Sequence, residues 1–150
     1  MRSINNKLND LHVEIANKYD IIAVCETWLN DSTPDSLINC NDTYTIIRKD
    51  RNTRGGGVCL FLSKLVTSKF TVRNVVIPDL FQSLEIVCVD IFCCGITSRL
   101  VLVYRPPNYN CDENKLLSSA LRHLSSKAAR LALIGNFNLP TVDWKCANNI

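Results

Sequence analysis

Short apolar runs separated by polar turns dominate the sequence after its first twenty residues. Their length and their content of β-branched residues predict strands at 21–25, 44–49, 58–63, 70–77, 83–92, 100–104 and 130–134. Two other segments, 3–19 and 112–127, repeat apolar residues every three or four positions, which predicts amphipathic helices. The order helix, strands, helix, strand indicates a mixed α/β or α+β sandwich, in a single domain over residues 1–150.

Turn and cap residues refine this pattern. Ser3 and Asp112 are predicted to cap the two helices, and Pro34 to begin a helical turn within the loop at 30–43. The run Gly55-Gly56-Gly57 predicts a tight turn with positive φ, since neither a Lys-Ser/Thr pair nor a helix follows it, as a phosphate-binding loop requires. The run 21–25 is apolar throughout, which predicts a buried strand.

Composition narrows the class of protein. The chain has 150 residues, of which 47% are hydrophobic and 21% charged, as in ordinary globular domains. It contains no run of about 18 apolar residues and no apolar segment near Met1, so we expect neither a membrane span nor secretion, and a location in the nucleus or cytoplasm. The eight cysteines form no C-x-x-C pair, which favours free thiols. The net charge of +3 is too small to indicate a nucleic-acid partner by itself.

Polar residues that could bind a ligand or take part in catalysis follow two of the predicted strands. Glu26 comes directly after 21–25, while Asn136 and Asn138 come just after 130–134. Because ligands bind at the carboxyl ends of strands in α/β sheets, these residues are predicted to share one site. Asn136 can hydrogen-bond but cannot ionise, which limits the chemistry available there.

Five sequence blocks together resemble the endonuclease/exonuclease/phosphatase superfamily, and more closely the endonuclease domain of LINE-type non-LTR retrotransposons. The blocks are R-S-I-N-N-K at 2–7, the strand and E-T-W-L at 20–29, the glycine turn at 50–58, Y-R-P-P at 104–107, and G-N-F-N with its continuation at 135–144. The resemblance implies a four-layer sandwich of the deoxyribonuclease-like type, with two packed mixed sheets flanked by helices. It also implies Mg²⁺-dependent hydrolysis of phosphodiester bonds in DNA.

The resemblance assigns roles to individual residues. Glu26 matches the glutamate that binds the metal, Tyr104 a tyrosine near the scissile phosphate, and Asn138 an asparagine that contacts phosphate or orients water. Asn136 stands where the family has the aspartate of G-D-F-N, and losing a general base removes on the order of 10²–10⁴ in rate. We expect the contacts with DNA to come from arginines, namely Arg51, Arg54 and Arg105.

Two further features of the family have no counterpart in this sequence. These are a strand before the block at 2–7, which ends in an asparagine, and a closing Ser-Asp-His block. We therefore expect a partial domain with little or no nuclease activity, which self-associates through an exposed sheet edge. Two alternatives are a non-catalytic nucleic-acid-binding module and a phosphatase of the same superfamily.

Overall fold

The computed structural model describes residues 18–51, 53–126 and 128–139. The helix predicted at 3–19 lies outside them except for its last two residues, and the end of the block at 135–144 also lies outside. The described strands are β1 (Ile21–Cys25), β2 (Tyr44–Lys49), β3 (Val58–Ser63), β4 (Thr71–Asn74), β5 (Glu85–Cys93), β6 (Ile96–Tyr104) and β7 (Arg130–Asn136). The helices are α1 (Asp35–Ile38), α2 (Lys64–Lys69) and α3 (Cys111–Ser125), with 3-10 turns at Cys40–Asp42 and Asp79–Phe81.

The first three strands coincide with the predicted ranges, and the later elements differ where short-range polar contacts intervene. Helix α2 was not predicted; the Ser63 hydroxyl accepts a hydrogen bond from the Val66 N–H, which caps α2. Strand β4 is shorter than predicted, since it ends at Asn74 rather than at 77. Strand β6 begins at Ile96, earlier than predicted, because a two-residue turn joins it to β5. The cap of α3 is Asn110, so the prediction of Asp112 was wrong.

The strands form two sheets packed face to face. The first sheet has the order β1-β3-β2 and is antiparallel throughout its described strands. The second has the order β4-β5-β6-β7 and is mixed, since β6 and β7 are parallel. The prediction of two mixed sheets is therefore confirmed for the second sheet, whereas the described strands of the first sheet are all antiparallel. The core between the sheets consists of Val58, Leu60, Leu62, Val87, Val89, Leu100, Leu102 and Tyr104.

Helices cover the outer faces. Leu117, Ala120 and Leu124 of α3 pack on the second sheet, where alternate residues of β5 and β6 point away from the first sheet. Ile38 of α1 and Leu29 pack on the outer face of the first sheet. The result is a four-layer α/β sandwich, as the fold prediction states. None of the described helices is long and apolar enough to cross a membrane.

Among the described strands, β1 and β7 are edge strands that lie at the same side of the sandwich. Strand β1 pairs only with β3 among the described strands, so it is partly exposed and the prediction of a buried strand was wrong. The Cys25 thiol at the end of β1 donates a hydrogen bond to the carbonyl of Val103 in β6, over 3.5 Å. This contact brings together the carboxyl ends of β1, β6 and β7, where the predicted site residues lie.

Candidate active site

Glu26 lies in a constrained turn at the end of β1. Glu26 and Trp28 have positive φ angles of 59° and 55°, which are uncommon for residues other than glycine. Two backbone hydrogen bonds hold this turn against the glycine loop: Thr27 N–H donates to the Gly57 carbonyl at 3.3 Å and Trp28 N–H to the Gly56 carbonyl at 2.9 Å. The position of Glu26 therefore depends on the loop between β2 and β3.

Tyr104 faces Glu26 from the end of β6. Its side chain is buried, with 7% of its surface exposed, and its hydroxyl interacts with the Glu26 carboxylate. Burial, followed by the hydrogen bond and charge of Glu26, raises the pKa of Tyr104 to about 12. The phenol is therefore protonated at neutral pH and can donate a hydrogen bond at this position.

Asn136 lies beside Tyr104, because the two residues are register partners in the parallel β6–β7 ladder. The Asn136 carbonyl accepts a hydrogen bond from Arg105 N–H at 2.8 Å, and its side-chain oxygen accepts one from Asn138 N–H at 3.1 Å. The second contact closes a local turn of the kind that Asn and Asp both favour. The Asn136 side chain thus shapes the turn that carries Asn138.

Asn138 and Arg105 bind each other across this turn. The Asn138 amide donates to the Arg105 carbonyl at 2.7 Å, and the Arg105 guanidinium donates to the Asn138 carbonyl at 3.0 Å. Arg105 also donates to Asn114 at 2.8 Å and is 7% exposed. This differs from the expected contact with DNA: the guanidinium is used inside the protein, where it positions the turn that carries Asn138.

The other two predicted arginines lie in the loop between β2 and β3. Arg51 forms an ion pair with Glu85, and its side chain is 30% exposed. The guanidinium carbon of exposed Arg54 lies 5.9 Å from the centre of the Trp28 ring, within cation–π range. Of the three arginines assigned to DNA contacts, Arg54 is the one most open to solvent. Arg54 thus places a positive charge beside Trp28, which lies in the same turn as Glu26.

Glu85 is the site residue that the sequence prediction missed. Glu85 is 5% exposed, and its carboxylate binds Arg51 and accepts a hydrogen bond from the Gly57 N–H. Gly56 fits closely against this pair, since an added Cβ would lie 2.6 Å from a Glu85 oxygen and 2.8 Å from Arg51 Nε. The sequence signal was a charged residue directly before the apolar run at 86–89, where a buried carboxylate requires a partner.

The oxygen atoms of the site suit a hard cation only in part. Within the described residues, no group of three or more His, Cys, Asp or Glu side chains could hold a metal ion. Glu85 is already engaged by Arg51 and Gly57, which leaves Glu26 as the carboxylate available at this site among those residues. Mg²⁺ usually takes one or two carboxylates, waters and substrate phosphates, so Glu26 fits such an ion when phosphate oxygens complete its shell.

Comparisons with known proteins give matches at the level of structure. No protein-family model matches the sequence, and no curated protein does. A 3′ phosphatase (NExo) from Neisseria, bound to a product DNA hairpin, matches with a TM-score of 0.66 and 18% identity, over 95% of this chain and 56% of that chain. TDP2 from D. rerio, complexed with single-strand DNA product, matches with a TM-score of 0.60 and 17% identity, over 97% and 58% of the two chains.

A third match supports the same fold. An AP endonuclease from Archaeoglobus fulgidus has a TM-score of 0.57 and 18% identity, over 91% of this chain and 54% of that chain. The chain thus spans a little over half the length of these three structures. All three are members of the endonuclease/exonuclease/phosphatase superfamily. The chain therefore has the fold of the endonuclease/exonuclease/phosphatase superfamily.

Proposed function

We propose that this chain carries part of a Mg²⁺-dependent phosphodiesterase site that acts on DNA, of the retrotransposon endonuclease type, with weak or no activity as it stands. The observation that supports the proposal is the convergence of Glu26, Tyr104, Asn136 and Asn138 where β1, β6 and β7 end. DNA as the substrate implies a location in the nucleus or cytoplasm.

The residues of this cluster have distinct parts in the proposal. Glu26 would hold Mg²⁺ together with phosphate oxygens, and the bound ion would neutralise charge on the phosphate and on the leaving oxygen. Tyr104 would donate its hydroxyl proton in a hydrogen bond to a phosphate oxygen, and its raised pKa keeps that proton in place at neutral pH. Asn138 would contact the same phosphate from the turn that Arg105 positions.

The expected weakness follows from Asn136. An amide cannot take a proton from an attacking water, and loss of a general base costs on the order of 10²–10⁴ in rate. The Asn136 side-chain oxygen is moreover already bound by the Asn138 N–H. The second basis is that Glu26 is the carboxylate available to Mg²⁺ at this site among the described residues, so a metal ion would be held weakly.

A supercoiled-plasmid nicking assay with Mg²⁺ tests the proposal. We expect little nicking by the chain, and no recovery with Asn136→Asp alone. Glu26→Ala is the site variant, and Asp112→Ala, an exposed acid on α3, is its matched control. Robust nicking that Glu26→Ala abolishes and Asp112→Ala preserves would contradict the inactivity but support the site. Nicking that survives Glu26→Ala would contradict the site itself.

A phosphatase function is the second candidate, because a matched structure is a 3′ phosphatase bound to a DNA product. Release of inorganic phosphate from a 3′-phosphorylated DNA hairpin, without nicking of supercoiled DNA, would favour it. The absence of release under conditions in which the chain binds the hairpin would count against it.

A non-catalytic DNA-binding module is the third candidate, supported by the exposed Arg54 beside Trp28. Binding through phosphate contacts weakens steeply with salt. Fluorescence anisotropy with a labelled duplex should therefore show an affinity that falls as the salt concentration rises. In Arg54→Ala, this dependence on salt should be weaker. Affinity that is independent of salt would exclude this function.

A further inference from the structure

Two adjacent cysteines meet at the turn between β5 and β6. Cys93 ends β5, and Cys94 and Gly95 form the turn before β6. In an extended strand, consecutive side chains point to opposite faces, so adjacency alone would separate the two thiols. Here Cys94 and Gly95 have φ angles of 50° and 79°, as in a two-residue type I′ turn. This conformation brings the two Sγ atoms to 3.7 Å.

The pair is separate from the candidate active site. Glu85 and Tyr104 are register partners at one end of the β5–β6 ladder, and Cys93 pairs with Ile96 at the other. At about 3.3 Å per residue, the nine residues of β5 place the two ends roughly 26 Å apart. Both thiols are exposed, so a reagent can reach them from solvent.

Geometry disfavours a disulfide between the two cysteines. The Cα atoms of consecutive residues are about 3.8 Å apart, while a relaxed disulfide spans about 4.4–6.8 Å between Cα atoms. Closing the bond would strain the turn, which favours the dithiol form. The Cys93 thiol donates to Cys94 Sγ, and this hydrogen bond raises the pKa of Cys93, which keeps the Cys93 thiol protonated near neutral pH.

The arrangement suits a soft acceptor that needs only two sulfur ligands. Zinc sites take three or four protein ligands, and the described residues contain no group of three or more His, Cys, Asp or Glu side chains that could supply them. An organic trivalent arsenical needs two thiols and no more. Sulfur ligands also select soft acceptors over hard ones.

We propose that Cys93 and Cys94 form a dithiol site that chelates soft trivalent arsenicals. With phenylarsine oxide, two As–S bonds form and the As–O bonds break. The oxygen leaves as one water molecule with the two thiol protons, and arsenic stays trivalent. The second As–S bond forms within one molecule, and such intramolecular closure strengthens binding by on the order of 10²-fold or more over a single site.

Intact-mass titration of the full chain with phenylarsine oxide tests the proposal. We expect one equivalent to bind, to be released by an added dithiol and to resist an added monothiol. Cys93→Ser and Cys94→Ser should each weaken binding by on the order of 10²-fold. Cys111→Ser, which removes another exposed cysteine, should leave binding unchanged.

Two outcomes would overturn the proposal. One is the absence of an adduct in the folded wild-type chain. The other is unchanged binding in either Cys93→Ser or Cys94→Ser, which would place the arsenical on other cysteines. Because both side chains are exposed, circular dichroism should show that the two serine variants keep the wild-type fold.

Discussion

Single residues connect the two sheets at the candidate site. Glu85, at the start of β5, binds Arg51 and the Gly57 N–H of the loop between β2 and β3. That loop in turn holds the Glu26 turn through its glycine carbonyls. A buried carboxylate that has lost its partners would be costly, so the contact constrains the loop strongly. The geometry around Glu26 thus depends on a residue far from it in sequence.

Glu85→Gln should loosen the glycine loop. The change removes the charge that binds Arg51 and should lower the free energy of unfolding by about 1–3 kcal/mol, as measured by urea denaturation. Because Trp28 packs against Gly55, its fluorescence should also shift, in a Trp144→Phe background that isolates it. Asp90→Asn, which breaks the pair with Arg99 elsewhere on β5, should destabilise without changing that emission. Equal shifts in both variants would contradict a local role for Glu85.

Tyr104 should make stability depend on alkaline pH. Burial and Glu26 raise its pKa to about 12 in the folded chain, against about 10 in the unfolded chain. The neutral phenol is therefore favoured by folding, so its contribution is complete below pH 10 and is lost as pH rises from about 10 to 12. Urea midpoints between pH 9 and 12 should fall more steeply for the wild type than for Tyr104→Phe. Parallel curves would contradict the shift.

At the level of elements, local polar contacts set the boundaries of helices and strands. In α3, the Asn110 side chain accepts the N–H groups of Asp112 and Glu113, while Glu113 accepts the Asn110 N–H in return. This capping box satisfies donors that the first helical turn leaves free. The sequence prediction chose Asp112 because it is acidic and precedes the apolar stripe, but Asn110 occupies the cap position.

Asn110→Ala should therefore destabilise the chain by about 1 kcal/mol, through loss of the cap. Asp112→Ala should change stability by less than about 0.5 kcal/mol, since its side chain is 89% exposed and its ion pair is with exposed Lys115. Thermal unfolding of both variants measures the difference. A larger loss of stability for Asp112→Ala than for Asn110→Ala would show that Asp112 caps α3, as the sequence predicted.

Strand β7 depends on a residue without a side chain. Gly135 has a φ of 152°, and an added Cβ would collide with the Val103 carbonyl of β6. Gly135→Ala should therefore disrupt the β6–β7 ladder and cost about 2–5 kcal/mol, from overpacking and backbone strain together. Gly95→Ala is the matched control, because nothing lies within 4 Å of its added Cβ and only the positive φ opposes it. It should cost about 1–2 kcal/mol in the same denaturation experiment.

At the scale of the whole molecule, the side of the sandwich that β1 and β7 form is the surface where self-association can be tested. Leu131 and Leu133 of β7 are 44% and 41% exposed, and Ile21 of β1 is 39% exposed. Among the described strands, β7 pairs only with β6, so its other edge carries backbone groups suited to strand addition. The predicted self-association would use this side.

Leu133→Lys should therefore reduce self-association, since a charge at a strand edge opposes pairing between chains. Sedimentation velocity over a range of concentrations measures the effect. Leu65→Lys is the control, because Leu65 is a similarly exposed leucine on α2. Equal effects of the two variants, or a monomer at every concentration in the wild type, would contradict the prediction.

The site was only partly predictable from sequence. Glu26, Asn136 and Asn138 could be chosen because each follows an apolar run, where ligands bind in α/β sheets. Tyr104 was chosen only because the Y-R-P-P block resembles the family. The sequence could not predict that the Arg105 side chain points into the protein, because its carbonyl partners Phe137 and Asn138 are more than 30 residues away in the chain. Glu85 was missed for the same reason, since Arg51 lies 34 residues earlier in the chain.

What the sequence by itself determined is the succession of strands and helices and the polar residues at their ends. These depend on periodicities of two and of about 3.6 residues, which act between near neighbours. The packing of the two sheets decided which strands lie at an edge, that Arg105 points inward and that Glu85 secures the glycine loop. Such contacts join residues that only the folded chain brings together, and their energies depend on burial, which local sequence does not specify.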